Sequence, residues 1–192
     1  MITKFLTEYI KNPQNIGAVA PSSKYLAKNM VKNIDFANCS AIAEYGAGTG
    51  IFTAEVIRRK NKDTKFFVIE QNEYFYNILR RKFNKCRNVH IIHGEAGNLA
   101  EYMKKYNIKQ MDYIISGLPF ASLPANVSDN ILKSTRKILA ESHGKFITFQ
   151  YTLFKVGLFR RFFNIAETNY TLRNLPSAFV LTMTSKNRRL TA

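Results

Sequence analysis

The amino-acid sequence predicts an α/β fold with one mostly parallel, seven-stranded sheet covered by helices. Short β-rich segments alternate with amphipathic helical segments from about Ala41 to Tyr151, an alternation that is typical of parallel sheets. After Tyr151, two β-rich segments follow each other across the short turn RNLPS, which predicts an antiparallel hairpin at the C-terminal end. Two amphipathic segments before Ala41 predict two extra N-terminal helices.

Each predicted element follows from its local pattern of apolar residues. The five alternating strands are AIAEYG (41–46), TKFFVIE (64–70), VHIIH (89–93), MDYIIS (111–116) and KFITFQY (145–151). The helices between and after them are FTAEVIRRK (52–60), EYFYNILRRKF (73–83), LAEYMKKY (99–106), ANVSDNILKSTRKIL (125–139) and VGLFRRFF (156–163). The hairpin strands are ETNYTL and FVLTMTS, and the N-terminal helices cover about 2–11 and 23–33, around a loop bracketed by Pro13 and Pro21. We expect one domain over 1–192, with helices that serve as a cofactor and membrane lid over 1–35 and a catalytic core over 40–185.

The composition is that of a globular protein, with 46% hydrophobic and 22% charged residues. Cys39 and Cys86 form no CxxC motif, so we expect them to pack in the core of a reduced, cytoplasmic protein. His90 and His93 lack a carboxylate or thiol partner at ligand spacing, and we predict no metal site. No apolar run approaches the ~20 residues of a membrane-spanning helix.

The net charge of +16 suggests an anionic partner, either nucleic acid or an acidic lipid surface. Many cations, however, cluster where two predicted helices end, a position that complements the helix dipole. They are Arg58, Arg59, Lys60, Lys62, Arg80, Arg81, Lys82, Lys85 and Arg87. Helix carboxyl ends lie at the sheet edge opposite a ligand site, so the net charge overstates the case for nucleic acid.

The first predicted strand runs into EYGAGTG (44–50), a loop suited to binding a nucleotide-like ligand. Glycines allow a sharp turn and a close approach of the backbone, and the next helix offers its amino terminus. A dinucleotide fingerprint requires a small residue at position 51, where this chain has Ile51, so an NAD site is not predicted. Glu70 ends the second strand, where an acid can bind ribose hydroxyls, and Glu95 follows the third. The alternative is that the glycines only form a turn and Glu70 is a solvated cap.

These residues resemble the class I S-adenosylmethionine-dependent methyltransferases over about Ile42–Ser185, and the resemblance implies a Rossmann-like fold and S-adenosylmethionine as cofactor. In that family the glycine loop wraps the methionine part, the acid at Glu70 binds ribose, and the acid at Glu95 lies near adenine. The cofactor-binding residues that we predict are Ser22, Ser23, Glu44, Gly46, Gly48, Thr49, Gly50, Glu70, Gln71, Glu95, Ala96 and Ser116.

SGLPF (116–120), at the end of the fourth strand, matches the frame of the Asn-Leu-Pro-Tyr motif of amino-methyltransferases with this fold. Gly117 takes the Asn position and offers only a backbone carbonyl and open space, while Ser116 adds a hydroxyl beside it. A planar adenine amine benefits from a side-chain acceptor, whereas an aliphatic amine needs room and a route for proton loss. We therefore favour an aliphatic amine, with Phe120 either as a wall of the site or as a core residue.

Four segments together resemble the bacterial phospholipid N-methyltransferases, which are related to the ribosomal RNA adenine dimethylases. They are IKNPQNIGAVAPSS (10–23), SGLP (116–119), QYT (150–152) and RNLP (173–176). The resemblance implies methyl transfer to the amine of phosphatidylethanolamine, with Ser22 and Ser23 capping a helix in a segment that closes over the cofactor. We predict Ser116, Gly117, Tyr25 and Tyr151 as catalytic residues, although both tyrosines are also compatible with core packing.

Two segments favour contact with an anionic membrane, and with it a peripheral location on the cytoplasmic face. The helix at 2–11 has an apolar face and a polar face, a pattern that equally fits packing on its own domain. The segment at 154–163 mixes aromatic residues with Lys155, Arg160 and Arg161, which would hold the site near anionic lipid.

Three alternatives stay open. An RNA adenine N6-methyltransferase is favoured by charge and by the shared core, but disfavoured by Gly117 and by the chain's end seven residues after Ser185. A binding module without activity is disfavoured by the intact glycine loop and Glu70. A small-molecule or protein amine is a further possible acceptor, and a monomer is favoured.

Overall fold

The computed structural model of the chain describes residues 23–186, and every structural statement below concerns that range. The predicted helix at 2–11, the loop between Pro13 and Pro21, and Ser22 lie outside the described residues. Six helices are present: α1 (Lys24–Met30), α2 (Ile51–Arg59), α3 (Glu73–Phe83), α4 (Leu99–Lys105), α5 (Ala125–Ser142) and α6 (Val156–Arg160). Seven strands are present: β1 (Ala41–Tyr45), β2 (Lys65–Glu70), β3 (Val89–His93), β4 (Tyr113–Ser116), β5 (Lys145–Gln150), β6 (Phe163–Thr171) and β7 (Ala178–Ser185).

All seven strands form one sheet in the order β3-β2-β1-β4-β5-β7-β6. Strands β1 to β5 pair in parallel, and β7 pairs antiparallel with both β5 and β6. The predicted mixed sheet with a C-terminal hairpin is therefore confirmed. Because β1 lies between β2 and β4, the segments that follow these three strands meet at one edge of the sheet.

The start of β6 differs from the sequence prediction, which continued a helix through VGLFRRFF to residue 163. Helix α6 ends at Arg160, and Phe163 already pairs with Ser185 of β7. Phe163 is fully buried and packs on Phe146 at a ring distance of 5.3 Å. A strand in this register places Phe163 in the core, which outweighs the helical period of the preceding residues.

The core lies on both faces of the sheet, since all five residues of β1 are buried. Phe120 belongs to this core: it is 1% exposed and packs edge-on against Phe146 and Phe159, at 6.1 and 5.4 Å between ring centres. Of its two predicted places, a wall of the site or the core, the structure shows the core. Cys39 is buried as well, and burial raises the pKa of its thiol to about 12.

The amino-terminal edges of the strands carry part of the predicted basic clusters. Arg87 forms an ion pair with Asp63 at 3.0 Å, and Asn88 donates to the carbonyl oxygen of Lys62 at 2.8 Å. These residues immediately precede β2 and β3, so they lie at the edge opposite the glycine loop. An open groove of about 820 Å³ lies at the same edge, lined by residues 37–41, 61–65 and 107–110.

Candidate active site

The segment between β1 and α2 is a tight loop whose three glycines have left-handed conformations, with φ of 65° at Gly46, 55° at Gly48 and 85° at Gly50. Two backbone hydrogen bonds of 2.9 Å close it, from Gly46 N–H to Ile69 O and from Gly50 N–H to Ala47 O. An added Cβ at Gly48 would have no heavy atom within 4 Å. The loop therefore borders open space at Gly48, where glycine lets the main chain approach a ligand closely.

Glu70, at the end of β2, is 7% exposed and is bonded to the glycine loop. Its Oε2 accepts a hydrogen bond from Gly48 N–H at 2.8 Å, and its Oε1 accepts one from Asn72 N–H at 2.9 Å. Burial raises the pKa of Glu70, and the backbone donors, led by Gly48, oppose that rise. Glu70 is thus not a solvated cap, and a carboxylate, which has about four acceptor sites, retains acceptor capacity for a ligand hydroxyl beyond its backbone donors.

Glu44 lies below the glycine loop and is completely buried. Its Oε2 accepts a hydrogen bond from Thr53 Oγ1 at 2.7 Å, whereas Oε1 has no partner among the described residues. Burial raises the pKa of Glu44 to about 8; the Thr53 hydrogen bond lowers it and the charge of Glu70 raises it. A buried carboxyl with one unpaired oxygen is suited to a cationic ligand, which would favour its ionised form.

Three further predicted cofactor residues, Gln71, Glu95 and Ala96, follow β2 and β3, which are neighbouring strands of the sheet. The carbonyl oxygen of Gln71 lies 3.0 Å from His93 Nε2, and the His93 ring stacks on Tyr76 at 4.9 Å. Glu95 is exposed, and Ala96 begins a short 3₁₀ turn. The structure therefore brings these residues to the same edge as the glycine loop and leaves the Glu95 carboxylate accessible.

Three residues on this side were not predicted: Thr53, Asn72 and Lys82. Asn72 caps α3, and an Asn immediately before a helical period is a signal that predicts such a cap. Lys82 Nζ donates to the carbonyl oxygen of Thr49 at 3.1 Å. Its predicted place at the opposite edge is wrong, because the last turn of α3 packs on the end of the glycine loop, where a Cβ at Gly50 would meet Phe83.

Ser116 ends β4 and is completely buried. Its Oγ accepts a hydrogen bond from Leu118 N–H at 3.2 Å, and its carbonyl oxygen accepts one from Thr148 Oγ1 at 3.2 Å. The hydroxyl shapes the turn after β4, rather than facing solvent. A contact of Ser116 with the cofactor or with an amine stays a prediction.

Gly117 packs directly against the glycine loop. A Cβ added there would lie 2.6 Å from the carbonyl oxygen of Gly46, and Gly117 N–H donates to Tyr45 O at 2.8 Å. Open space was expected at Gly117. That expectation is wrong, because the backbone of Gly46 occupies the space into which a side chain would project. Glycine allows the close approach of the two loops, and a side chain at this position would require one of the loops to move.

The two predicted catalytic tyrosines differ in exposure. Tyr25 is 50% exposed, with the Arg173 guanidinium 5.2 Å from its ring centre, so it is not a core residue. Tyr151 is half-buried beside Phe149, at 5.4 Å between ring centres. Burial raises the pKa of Tyr151, and a hydrogen bond with Asn174 partly offsets the rise. A neutral phenol at Tyr151 is the form that this environment favours.

Asn174, in the turn between β6 and β7, joins three segments around this part of the edge. Its Oδ1 accepts a hydrogen bond from Ser23 N–H at 2.9 Å, and its Nδ2 donates to Pro176 O at 2.7 Å. Its side chain also lies close enough to Tyr151 to influence that phenol. Ser23 in turn caps α1 as predicted, because its Oγ accepts from Leu26 N–H at 3.1 Å. The sequence marked RNLP as a motif but did not predict this role.

Two further observations concern residues 23–186. These residues contain no group of three His, Cys, Asp or Glu side chains arranged to hold a metal ion. Within the same range, none of the helices has the length and apolar character needed to cross a bilayer.

Comparison with known proteins identifies the family. The family model for ribosomal RNA adenine dimethylase matches residues 21–158. The ornithine lipid N-methyltransferase of Singulisphaera acidiphila is 32% identical over 176 residues, which is 91% of each chain. The rRNA adenine N-6-methyltransferase of Lysinibacillus sphaericus is 30% identical over 171 residues, 89% of this chain but 59% of that protein.

A solved structure supports the same fold. The N-methyltransferase NodS from Bradyrhizobium japonicum, in complex with S-adenosylhomocysteine, superimposes with a TM-score of 0.70 at 9% identity, over 96% of this chain and 98% of that one. At this identity the likeness concerns the fold alone.

The residues at the edge fit S-adenosylmethionine, the cofactor of this family. Gly48 borders open space, Glu70 keeps acceptor positions for ribose hydroxyls, and the unpaired oxygen of Glu44 is suited to a ligand with an ammonium group. The chain is therefore an S-adenosylmethionine-dependent methyltransferase that belongs to the ribosomal RNA adenine dimethylase family.

Proposed function

We propose that this enzyme methylates the primary amine of a membrane lipid head group, with phosphatidylethanolamine as the first acceptor to consider. The observation that carries the proposal is the packing of Gly117, whose missing side chain is replaced by the carbonyl oxygen of Gly46. The exit of β4 therefore presents backbone to the methyl acceptor. In the adenine-modifying enzymes that this motif resembles, the same position carries a carboxamide or carboxylate.

The two acceptor chemistries place different demands on this position. An adenine amine is planar and weakly nucleophilic, so a fixed side-chain acceptor helps to draw off its proton. An aliphatic amine has a pKa of about 10, like lysine, and is a strong nucleophile once deprotonated. It needs alignment, exclusion of water and a path for its proton, which backbone oxygens and a narrow site can supply.

The comparisons support a lipid acceptor. The relative from Singulisphaera acidiphila is named for ornithine lipid, and it matches almost the whole of this chain. Ornithine lipid and phosphatidylethanolamine share one feature, a primary aliphatic amine held at a membrane surface. We infer that this shared amine is the acceptor class, and that the enzyme works as a peripheral protein on an anionic membrane.

Within this proposal, the part of the sheet edge over β1 to β3 binds the cofactor, and the part over β4 to β7 binds the methyl acceptor. S-adenosylmethionine supplies an electrophilic methyl group when bound. The cofactor would be held by the predicted residues Ser23, Glu44, Gly46, Gly48, Thr49, Gly50, Glu70, Gln71, Glu95 and Ala96. Tyr25 and Tyr151 would face the amine or the lipid phosphate, and Gly117 would keep the acceptor close to the glycine loop.

Methylation of an adenine N6 amine in ribosomal RNA is the second candidate. It is favoured by the description of the matching family and by the relative from Lysinibacillus sphaericus. The net charge of +16 also suits an RNA partner. This candidate requires a group other than residue 117 to accept the proton of the adenine amine.

The deciding experiment follows methyl transfer from labelled S-adenosylmethionine to three acceptors in parallel. The first is phosphatidylethanolamine in vesicles with phosphatidylglycerol, the second is ornithine lipid in place of phosphatidylethanolamine in such vesicles, and the third is unmodified ribosomal RNA. We expect label in a lipid amine, lost on Glu70→Ala and kept on Glu101→Ala, an exposed acid of α4. Label in RNA alone would overturn the proposal in favour of the second candidate.

A further inference from the structure

The turn between β6 and β7 exposes two large aliphatic side chains. Leu172 is 74% exposed and Leu175 is 89% exposed. The loop after β5 exposes two more large apolar side chains, with Leu153 at 45% and Phe154 at 96%. Turns ordinarily carry polar residues, so four large apolar side chains on two adjacent turns are unusual. We call these four residues the exposed apolar rim.

The rim lies on the same sheet edge as the glycine loop. Gln150 at the end of β5 pairs with Phe179 near the start of β7, so the two turns leave neighbouring strands side by side. The side chain of Asn174, between the two leucines, lies beside Tyr151, two residues before Leu153. The β6–β7 turn therefore lies next to the loop that carries Phe154.

The charge around the rim is positive. Arg173 separates the two leucines, and Lys155 follows Phe154. From 150 to 178 the only acid is Glu167, which accepts hydrogen bonds from Asn33 and Asn169 within the fold. A cationic border around aliphatic side chains complements a surface with anionic head groups and an apolar interior.

The rim also revises the membrane segment predicted at 154–163. Phe159 and Phe163 are fully buried, and Arg161 forms two hydrogen bonds with the carboxylate of Asp129, at 3.0 and 2.9 Å. Most of that aromatic and cationic pattern therefore serves internal packing. Phe154 is the aromatic residue of this segment that is left outside, next to the leucines of the other turn.

We propose that the exposed apolar rim inserts into a bilayer that contains anionic lipid and so holds the acceptor side of the site against the head groups. The proposal deepens the lipid function and rests on it for its purpose. RNA is a poorer occupant, since three of the four rim side chains are leucines, which have no π-face for base stacking. The Asn174 hydrogen bond to Ser23 ties the β6–β7 turn to the start of α1, and the pairing of β5 with β7 holds both turns of the rim beside the site, so docking the rim also sets the direction from which a lipid amine enters.

The test measures partition of the full chain onto vesicles of phosphatidylcholine, with and without phosphatidylglycerol, by co-sedimentation. Leu172→Ser combined with Leu175→Ser should lower partition on the order of 100-fold, since burial of each leucine favours binding about tenfold. Leu172→Met with Leu175→Met retains the apolar surface and should bind like the wild type. Unchanged thermal unfolding of both variants will show that the fold is intact.

Two variants that each remove one positive charge complete the design. Arg173→Gln should weaken binding only to vesicles with phosphatidylglycerol, whereas Lys109→Gln, in the groove at the opposite edge, should leave it unchanged. If the double serine variant binds vesicles as well as the wild type does, the rim proposal is overturned. It is also overturned if the variant loses binding to RNA and keeps its binding to vesicles. Rim-dependent vesicle binding by an enzyme that methylates RNA but no lipid amine would instead refute the lipid function alone.

Discussion

Over β1 and β2 the sheet edge is closed by short hydrogen bonds between residues near each other in sequence, whereas over β5, β7 and β6 it is joined by contacts between distant segments. Glu70 reaches Gly48, 22 residues away, and Thr53 reaches Glu44, nine residues away. On the other half, Asn174 reaches Ser23 across 151 residues. The first half is buried and polar; the second exposes apolar side chains and one half-buried tyrosine.

This difference indicates a division of labour. In the proposed function, the half over β1 and β2 (the cofactor half) would bind S-adenosylmethionine, and it is built from backbone and buried carboxyls. The half over β5, β7 and β6 (the acceptor half) would admit the methyl acceptor, and its loops are tied together at few points. Gly117 is where the halves touch, at the carbonyl oxygen of Gly46.

The largest effect is expected where the halves touch. Gly117→Asn restores the side chain of the adenine-modifying motif but forces its Cβ onto the Gly46 oxygen, 2.6 Å away. Displacement of the glycine loop by about 1 Å should lower kcat/KM roughly 100-fold, and overpacking should cost about 1–3 kcal/mol of stability. Gly157→Ala, where a Cβ meets nothing within 4 Å, is the control that should change neither. Full activity of Gly117→Asn would refute this account of the contact.

The next effect concerns the cofactor half alone. Glu70→Gln removes the charge from the carboxylate that accepts from Gly48 and Asn72. Charge-assisted hydrogen bonds contribute about 1.5–3 kcal/mol, so calorimetric affinity for S-adenosylmethionine should fall roughly 10- to 100-fold. Vesicle binding should be retained, because the rim lies on the other half. Equal loss of both would show that the halves are not separable.

The acceptor half should respond to Asn174→Ala in the opposite way. The substitution leaves Ser23 N–H and Pro176 O without their partner, at a cost of about 1–3 kcal/mol in unfolding free energy. The KM for the acceptor should rise several-fold, while cofactor affinity stays near wild type. Asn164→Ala, at an exposed position of β6, is the matched control. A selective loss of cofactor affinity would contradict the assignment of Asn174 to the acceptor half.

The smallest expected effect is a change in pH dependence at Glu44. Burial raises its folded pKa from 4.5 to about 8, so the folded state holds a proton that the unfolded state releases. Without cofactor, the contribution of Glu44 to the free energy of unfolding should therefore be complete below pH 4.5 and should be lost as pH rises towards 8. Between pH 5 and pH 8 this loss should be at least about 1.4 kcal/mol, the equivalent of one pKa unit.

Glu44→Gln should flatten that profile, and denaturant unfolding across the pH range will measure it. Glu101→Gln, at an exposed position, should leave the wild-type slope in place. Parallel profiles for wild type and Glu44→Gln would mean that the carboxyl is ionised throughout, with a partner other than Thr53.

The meeting of the glycine loop and Glu70 at one sheet edge was predictable because its signals are local. Glycines at 46, 48 and 50 follow an apolar strand, and Glu70 ends the next strand, so strand alternation alone brings them together. The positions of Phe120 and Phe163 were harder to predict, since aromatic residues fit both a core and a ligand wall. Only packing across the sheet decides between these two environments.

The acceptor half was less predictable for the same physical reason. Gly117 was singled out from the sequence, but the expectation of open space there was wrong, because the Gly46 carbonyl that fills its side-chain space lies 71 residues earlier in the chain. Asn174 and Lys82 likewise act through contacts that no local pattern encodes. Long-range backbone approaches of this kind become visible only once the sheet is assembled.

The most direct test of the central claim is a crystal structure of the enzyme with S-adenosylhomocysteine and a short-chain, soluble phosphatidylethanolamine. We predict that the amine nitrogen lies beside Gly117, about 3–3.5 Å from the position of the transferable methyl group. The lipid phosphate should face Arg173, and the acyl chains should leave past Leu172 and Leu175. An amine that binds at the opposite edge, near 37–41, or that points away from the glycine loop would contradict the account.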